Sequence, residues 1–406
     1  MAQGLLDGGG LLSARLSPVT APTKTLVLRP RVQRVDECLR PTRAEVDLDA
    51  IAHNLRVVRC AVQPTKVLAV VKADAYGHGV VPVALRLEEE GVDGFGVALA
   101  EEGIELRDAG IESAIVVLNG VYGGAHEEVL AAGLTPVVYD LSELEAFARA
   151  AGGRPFAVHL KVDTGMSRLG VPWRELGGFL ERLEGVRGLR VEGLMTHLAA
   201  ADSDDELTAL QLGRFADALA QLRAAGHRPT LLHAANSAAA LRLPHARFDM
   251  VRVGIALFGL SSVPELQRSF RPAMRLRSEV IAVRELRPGD RVGYDGTFVA
   301  ERPTKLATVP IGYGDGLMRA NSNRGVALVR GVRCPLVGNV SMDLSTFDVS
   351  AAGEVTPGDE VVLLGGQPAY GDDTIGAAEL AQASGTLPYE VWCAISRRVP
   401  RFYRGG

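Results

Sequence analysis

Apolar runs of four to seven residues recur through the first two thirds of the chain, at 67–71, 94–98, 114–118, 135–139, 156–162, 191–195, 230–233 and 250–253. Between most of them lie segments with apolar positions at helical spacing and charges on the other face: 78–90, 100–109, 141–151, 173–183 and 205–225. Gly91, Gly110, Gly152 and Gly226 close four of these, and glycine tolerates the left-handed conformation common at helix ends. Apolar strands alternating with amphipathic helices predict a parallel sheet covered by helices. Eight units predict an α/β fold with an N-terminal (β/α)8 barrel of the TIM type. A doubly wound open sheet is the rival, but no GxGxxG follows an early strand.

Past residue 270 the helical period disappears. Short strands at 276–283, 305–311, 326–332, 344–349 and 360–364 are separated by turns such as Arg287-Pro288-Gly289-Asp290 and Thr356-Pro357-Gly358-Asp359. The expected organisation is a barrel over 40–271 and a mostly-β C-terminal domain over 272–406. Residues 1–39, rich in Gly, Leu, Arg and Pro, are expected to be a disordered extension. Asp7 and Gly8-Gly9-Gly10 interrupt what would be the apolar core of a signal peptide. No apolar run approaches membrane-span length, so a cytoplasmic location and no membrane partner are expected.

Composition narrows the function classes. The net charge of -4, with 44 basic residues scattered along the chain, makes no case for nucleic acid. Cys38, Cys60, Cys334 and Cys393 are widely spaced with no CxxC pair, which argues against a zinc site or a disulfide framework. Only five of the basic residues are lysines: Lys24, Lys66, Lys72, Lys161 and Lys305. Some lysines survive any bias by chance, but only Lys offers an amine that can lose its proton and attack a carbonyl. Lys72 ends the first apolar run, where desolvation lowers its pKa.

Active-site groups of such barrels lie at the C-terminal ends of the strands. Those ends carry Lys72, the segment Lys161 to Arg168, Thr196-His197, His233-Ala234-Ala235-Asn236-Ser237 and Arg252-Val253-Gly254-Ile255. A lone strand-end His or Arg is usually structural; their convergence on one mouth is the signal, and it suits an anionic, carbonyl-bearing ligand. Asn236-Ser237 precede a helical run, and Gly254-Ile255 offer backbone N–H groups, so a phosphate site is expected after the seventh and eighth strands. An ordinary helix cap is the plainer reading of Ser237. Lysine, phosphate cradle and barrel together indicate pyridoxal 5′-phosphate with Lys72 as its Schiff-base lysine.

The run Val70-Val71-Lys72-Ala73-Asp74-Ala75-Tyr76-Gly77-His78-Gly79 closely resembles the cofactor-lysine signature of alanine racemases. Segments 43–55, 161–170, 233–237, 251–259, 340–343 and 389–400 resemble that family too, in order, from about residue 40 to the end. The resemblance implies a homodimer with shared active sites, in which each barrel mouth is completed by the other chain's β domain. It implies a two-base racemisation of alanine, supplying D-alanine for peptidoglycan: Lys72 serves the D isomer and Tyr294, from the partner chain, the L isomer. Tyr76, Ser237, Gly254, Ile255 and Tyr389 would bind the cofactor phosphate, with Asn236 beside them. Arg252 would face the pyridine nitrogen and His197 would line the ring. Arg168 would contact the phenolic oxygen and the substrate carboxylate; Met342 would meet that carboxylate from Tyr294's side. Tyr313 would narrow the entrance with Tyr294 and Tyr389. Lys161 is a carbamylation candidate, because a bare ammonium near Arg168 is costly; a Lys161–Asp163 pair is the alternative.

The chain departs from the family pattern at Ser167, Ser341, Phe258 and Arg397, where Gly, Cys, Tyr and Tyr are frequent. Competing readings are a broad-specificity racemase of the same fold, a non-catalytic pyridoxal-phosphate carrier, which would lack residues 270–406, and a decarboxylase on the same barrel.

Overall fold

The computed structural model of the chain describes residues 39–405; the extension expected over 1–39 therefore lies outside the described residues, save Leu39. Ten strands lead through the first two thirds: β1 (Arg43–Asp47), β2 (Lys66–Val70), β3 (Gly94–Val97), β4 (Ile115–Val117), β5 (Thr135–Val138), β6 (Phe156–Asp163), β7 (Val171–Pro172), β8 (Leu189–Met195), β9 (Leu231–His233) and β10 (Met250–Val253). Eight of them pair in the order β10-β2-β3-β4-β5-β6-β8-β9, with β7 added beside β6. All neighbours are parallel. Each coincides with one of the eight expected apolar runs. The remaining seam, between β9 and β10, is joined by Asp249 N–H to Leu232 O (3.0 Å) and Arg252 N–H to Ala235 O (2.9 Å). The Asp249 carboxylate also accepts from Leu232 N–H at 2.9 Å. The sheet thus becomes a nearly closed barrel.

The helices around it start where the sequence offers an oxygen to unpaired backbone N–H groups. Asp47 caps Leu48–Val62, Asp140 caps Leu141–Ala151 and Asp204 caps Asp205–Ala224. Gly152, at φ +59°, ends the second of these. The short helix His126–Ala131 was not among the expected ones; six residues are too few for a clear period.

The barrel interior is part apolar and part polar. Leu68, Val116, Val137, Met195 and Met250 form an apolar plug. Beside it sit the buried His159 and His233, whose Nδ1 and Nε2 lie 3.0 Å apart. Gly193 faces them because a Cβ there would come within 2.5 Å of the His159 ring. Lys161 and Arg252, each two residues further along its strand from a plug or histidine residue, lie on the same inward face.

The second region is mostly β. Its principal sheet has the order β17-β16-β19-β11-β1-β21, made of β11 (Met274–Glu279), β16 (Val326–Val329), β17 (Val332–Pro335), β19 (Glu360–Gly366) and β21 (Arg401–Arg404) around β1. The expected strand 276–283 is interrupted after Glu279, and its second part, Ala282–Leu286, pairs in another sheet with Thr304–Val309. The expected strand 326–332 is a hairpin, because Arg330 and Gly331 both take positive φ (+52° and +77°), the geometry of a tight two-residue turn. The helices Ala377–Ser384 and Pro388–Ala394 were not expected.

β1 was not expected either, and it does not belong to the barrel. Although 40–271 reads as barrel in the sequence, Arg43–Asp47 pairs antiparallel with β11 and parallel with β21. Its alternating burial, half-buried then buried, is that of a strand with one wet face. Buried Asn54 then ties the first helix to the segment leaving the barrel, donating to Leu257 O (2.9 Å) and Arg271 O (2.8 Å) and accepting from Arg271 N–H (2.8 Å).

Candidate active site

Lys72 follows β2 and opens an unusual turn. Ala73, Asp74, Ala75 and Tyr76 have φ between +51° and +55° and ψ between +41° and +53°, one turn of left-handed helix. Such backbone costs on the order of 1–2 kcal/mol for each L-residue, so it persists only where its surroundings fix it. Here they do. Glu102 accepts from Ala73 N–H (2.6 Å) and Asp74 accepts from Val80 N–H (2.7 Å). Gly77 packs on the Trp392 carbonyl, where a Cβ would come within 2.4 Å, and Arg401 Nε donates to Gly77 O at 3.1 Å. His78, fully buried, stacks on Phe258 with ring centroids 4.4 Å apart. The turn brings Lys72 and Tyr76 to the same cavity.

That cavity, about 280 Å³, lies at the C-terminal ends of the strands and is lined by Lys72, Tyr76, Lys161, Arg168, His197, Asn236, Ser237, Arg252, Gly254, Ile255 and Tyr389. These expected residues, separated by more than three hundred positions, therefore meet. Tyr294, Tyr313 and Met342 do not line it. They share an exposed face of the β region, joined by Tyr313 N–H to Ser341 O (2.9 Å), Gly314 N–H to Met342 O (2.9 Å) and Asn339 Nδ2 to Tyr294 O (3.0 Å). Tyr294 is 70% exposed and Met342 52%.

Two local expectations need correction. The cap of helix Ser237–Arg242 is Asn236, whose Oδ1 accepts from Ala239 N–H at 3.0 Å, so the hydroxyl of Ser237 is not spent on capping. The N–H of Gly254 is not free: it donates to Ser237 Oγ at 3.1 Å, because β10 ends directly beside that helix start. Gly254 also lies so close to Tyr76 that a Cβ would come within 2.4 Å of the phenol oxygen. A buried hydroxyl, two tyrosines and backbone of close approach thus converge on one end of the cavity.

Arg252 sets the electrostatics. Its guanidinium donates to the carbonyls of His233 (2.8 Å), Thr196 (2.7 Å) and Ala234 (2.9 Å) and to the Nδ1 atoms of His233 and His197 (3.2 Å each). Every one of these acceptors is neutral. Burial and this unneutralised cation hold His197 down to about 3 and His159 to about 4, so both imidazoles are neutral at ordinary pH. Burial, then Arg252 and Arg168, pulls Lys161 down to about 8. Lys72 is lowered by burial first and Arg168 second. The Lys161–Asp163 pair does not form: the Asp163 carboxylate accepts instead from Gly165 and Met166 N–H, both at 2.8 Å. Ser167 holds φ +56°, a left-handed conformation that favours glycine.

Sequence reading missed Glu102, Asn119, Asp202 and His159. Asn119 and Asp202 line the cavity. Asn119 lies two residues past β4 and was visible as a strand-end polar residue; His159 was visible as the inward neighbour, two positions back, of Lys161. Glu102 carried no signal distinguishing it from an ordinary helix-start acid.

The barrel followed by a β domain matches, domain for domain, a family of amino-acid racemases. The alanine racemase N-terminal domain matches residues 46–262 and the alanine racemase C-terminal domain residues 273–403. The chain is 49% identical to an alanine racemase of Sorangium cellulosum, over 90% of this chain and all of that protein. Its fold matches the crystal structure of alanine racemase from a D-cycloserine-producing Streptomyces lavendulae with TM-score 0.85 and 38% identity, covering 91% of this chain and 98% of that one. The Bartonella henselae alanine racemase, solved with covalently bound pyridoxal phosphate, matches with TM-score 0.82 and 31% identity over 90% and 99% of the two chains. This chain belongs to the alanine racemase family. No described helix is long and apolar enough to cross a membrane.

Proposed function

We propose that the cavity holds pyridoxal 5′-phosphate on Lys72 and that the protein interconverts L- and D-alanine with two bases, one from each of two chains. The observation that carries this is the placement of Lys72 in one cavity with Ser237, Gly254, Tyr76 and Tyr389. The donor set fits the cofactor: hydroxyls and backbone N–H groups suit a phosphate, and Arg252 suits a pyridine nitrogen that stays unprotonated. The bound cofactor supplies electron withdrawal that acidifies the substrate Cα–H bond.

This chain's own residues do the rest. Ser237, Tyr76, Tyr389 and Ile255 anchor the phosphate, with Gly254 keeping the backbone close and Asn236 holding the helix start. His197, kept neutral, lines the ring and accepts from Arg252 rather than exchanging protons. Arg168 turns toward the phenolic oxygen and the substrate carboxylate. Lys72 moves a proton on one face of Cα, the D side. Tyr294 of a second copy moves it on the other, with Met342 and Tyr313 beside it. The exposure of that trio supports a shared site in a homodimer, since large apolar and aromatic side chains grouped on a surface favour association. Lys161, with its lowered pKa, near two arginines and without an acid partner, supports carbamylation to an anion that orients Arg168. On this reading the protein acts in the cytoplasm and supplies D-alanine for peptidoglycan.

The test is borohydride reduction of the cofactor-loaded protein followed by peptide mass analysis, alongside alanine racemisation read by circular dichroism. Label on the Lys72 peptide with turnover in both directions is expected. Label on another lysine, or no turnover, would overturn the reading.

A further inference from the structure

Glu102 sits at the third position of helix Ala100–Asp108 and reaches back across its start. One oxygen, Oε2, accepts from Ala98 N–H (2.7 Å) and Leu99 N–H (3.1 Å). The other, Oε1, accepts from Ala73 N–H at 2.6 Å. The first set is helix capping within the β3 segment. The last bond belongs to a different strand, and its donor is the residue after Lys72 and the first of the four left-handed ones. One carboxylate thus clamps the ends of two adjacent barrel strands. Its charge favours the protonated amine, opposing Arg168, which disfavours it; Lys161 adds to the second effect from across the cavity, and Cys393 faces the amine from the C-terminal helix.

We propose that Glu102 is a positioning residue for Lys72, fastening the strained turn that aims the amine into the cavity. The inference rests on Lys72 being the cofactor lysine. Plain helix capping is the alternative, and it predicts lost stability with no effect at Lys72.

The experiment compares Glu102→Gln with Asp204→Ala, which removes an ordinary cap from helix Asp205–Ala224. In the cofactor-free full chain, the Ala73 amide exchanges at least ~10-fold faster in Glu102→Gln. The pH dependence of acylation of the Lys72 amine, followed by peptide mass analysis, moves to lower pH, because the group favouring the ammonium is gone. Asp204→Ala changes neither. In the loaded enzyme, Glu102→Gln lowers kcat about 10- to 100-fold with little change in KM. If both variants merely melt earlier while Ala73 exchange and Lys72 acylation stay as in the parent chain, the proposal fails. Should Glu102→Gln not fold, Glu102→Asp keeps the charge and shortens the reach; unchanged Ala73 exchange there is equally fatal. Because these readouts need no cofactor, they stand apart from borohydride labelling: a label on a different lysine sinks the cofactor assignment, not the clamp.

Discussion

The barrel mouth and the Tyr294 face are made of similar chemistry but finished to different degrees. In the mouth, eleven expected residues converge in one cavity, and the two Nη atoms of Arg252 donate to five neutral acceptors. On the Tyr294 face, an aromatic hydroxyl, a thioether and a second tyrosine point outward, held only through backbone and amide contacts. The preorganised cavity is built from buried strands of one chain; the surface proposed to meet a second copy is left uncovered. On the proposed shared-site reading, the difference teaches that a single chain would carry both halves of a catalytic centre without joining them.

The sharpest way to break this comparison is to separate the halves. Lys72→Ala and Tyr294→Phe should each reduce turnover by at least about 100-fold, the scale of one lost acid–base group. Mixing the two inactive chains should restore part of the activity, since a hybrid dimer keeps one intact site. Absence of recovery in a verified hybrid would place both bases in one chain. Next in size, Arg252→Glu should raise the pyruvate side product relative to racemisation, measured by chromatography of the products. Arg252→Ala should cost roughly 3 kcal/mol in denaturant unfolding, because several buried carbonyls lose their donor together.

Lys161 titrates near 8 in the fold and at its ordinary higher value when unfolded. Between those values the unfolded chain binds the extra proton, so this residue makes stability rise with pH from about 8 upward and contributes a full penalty below. A carbamylated Lys161 would remove that rise, and added bicarbonate should flatten the curve of melting temperature against pH. A steep curve unaffected by bicarbonate would reject carbamylation. The smallest effect belongs to the barrel's outer surface: Asp204→Ala should cost about 1 kcal/mol and leave turnover unchanged.

Much of the barrel and most of its mouth were legible in the sequence because buried parallel strands are continuous apolar runs, and their ends are where polar residues begin. Lys72, His197 and Arg252 could be placed from that rule alone. The C-terminal region was less legible. The break after Glu279 and the turn at Arg330-Gly331 depend on dihedral angles within apolar stretches that look unbroken. β1 was hidden because its partners lie more than two hundred and three hundred residues away. Glu102 was hidden because its bond to Ala73 crosses between strands.

Those distant partners of β1 bear on how the protein is made. Arg43–Asp47 leaves the ribosome more than three hundred residues before its partner strand Arg401–Arg404. The barrel strands are complete long before then and can fold during synthesis, domain by domain. The principal sheet of the second region cannot close until Arg401–Arg404 has been made. Arg401, which braces the turn carrying Lys72, arrives with that closing strand. The turn carrying Lys72 is therefore braced only after the barrel strands have been made, and a product truncated before Arg401 would carry the lysine without its brace.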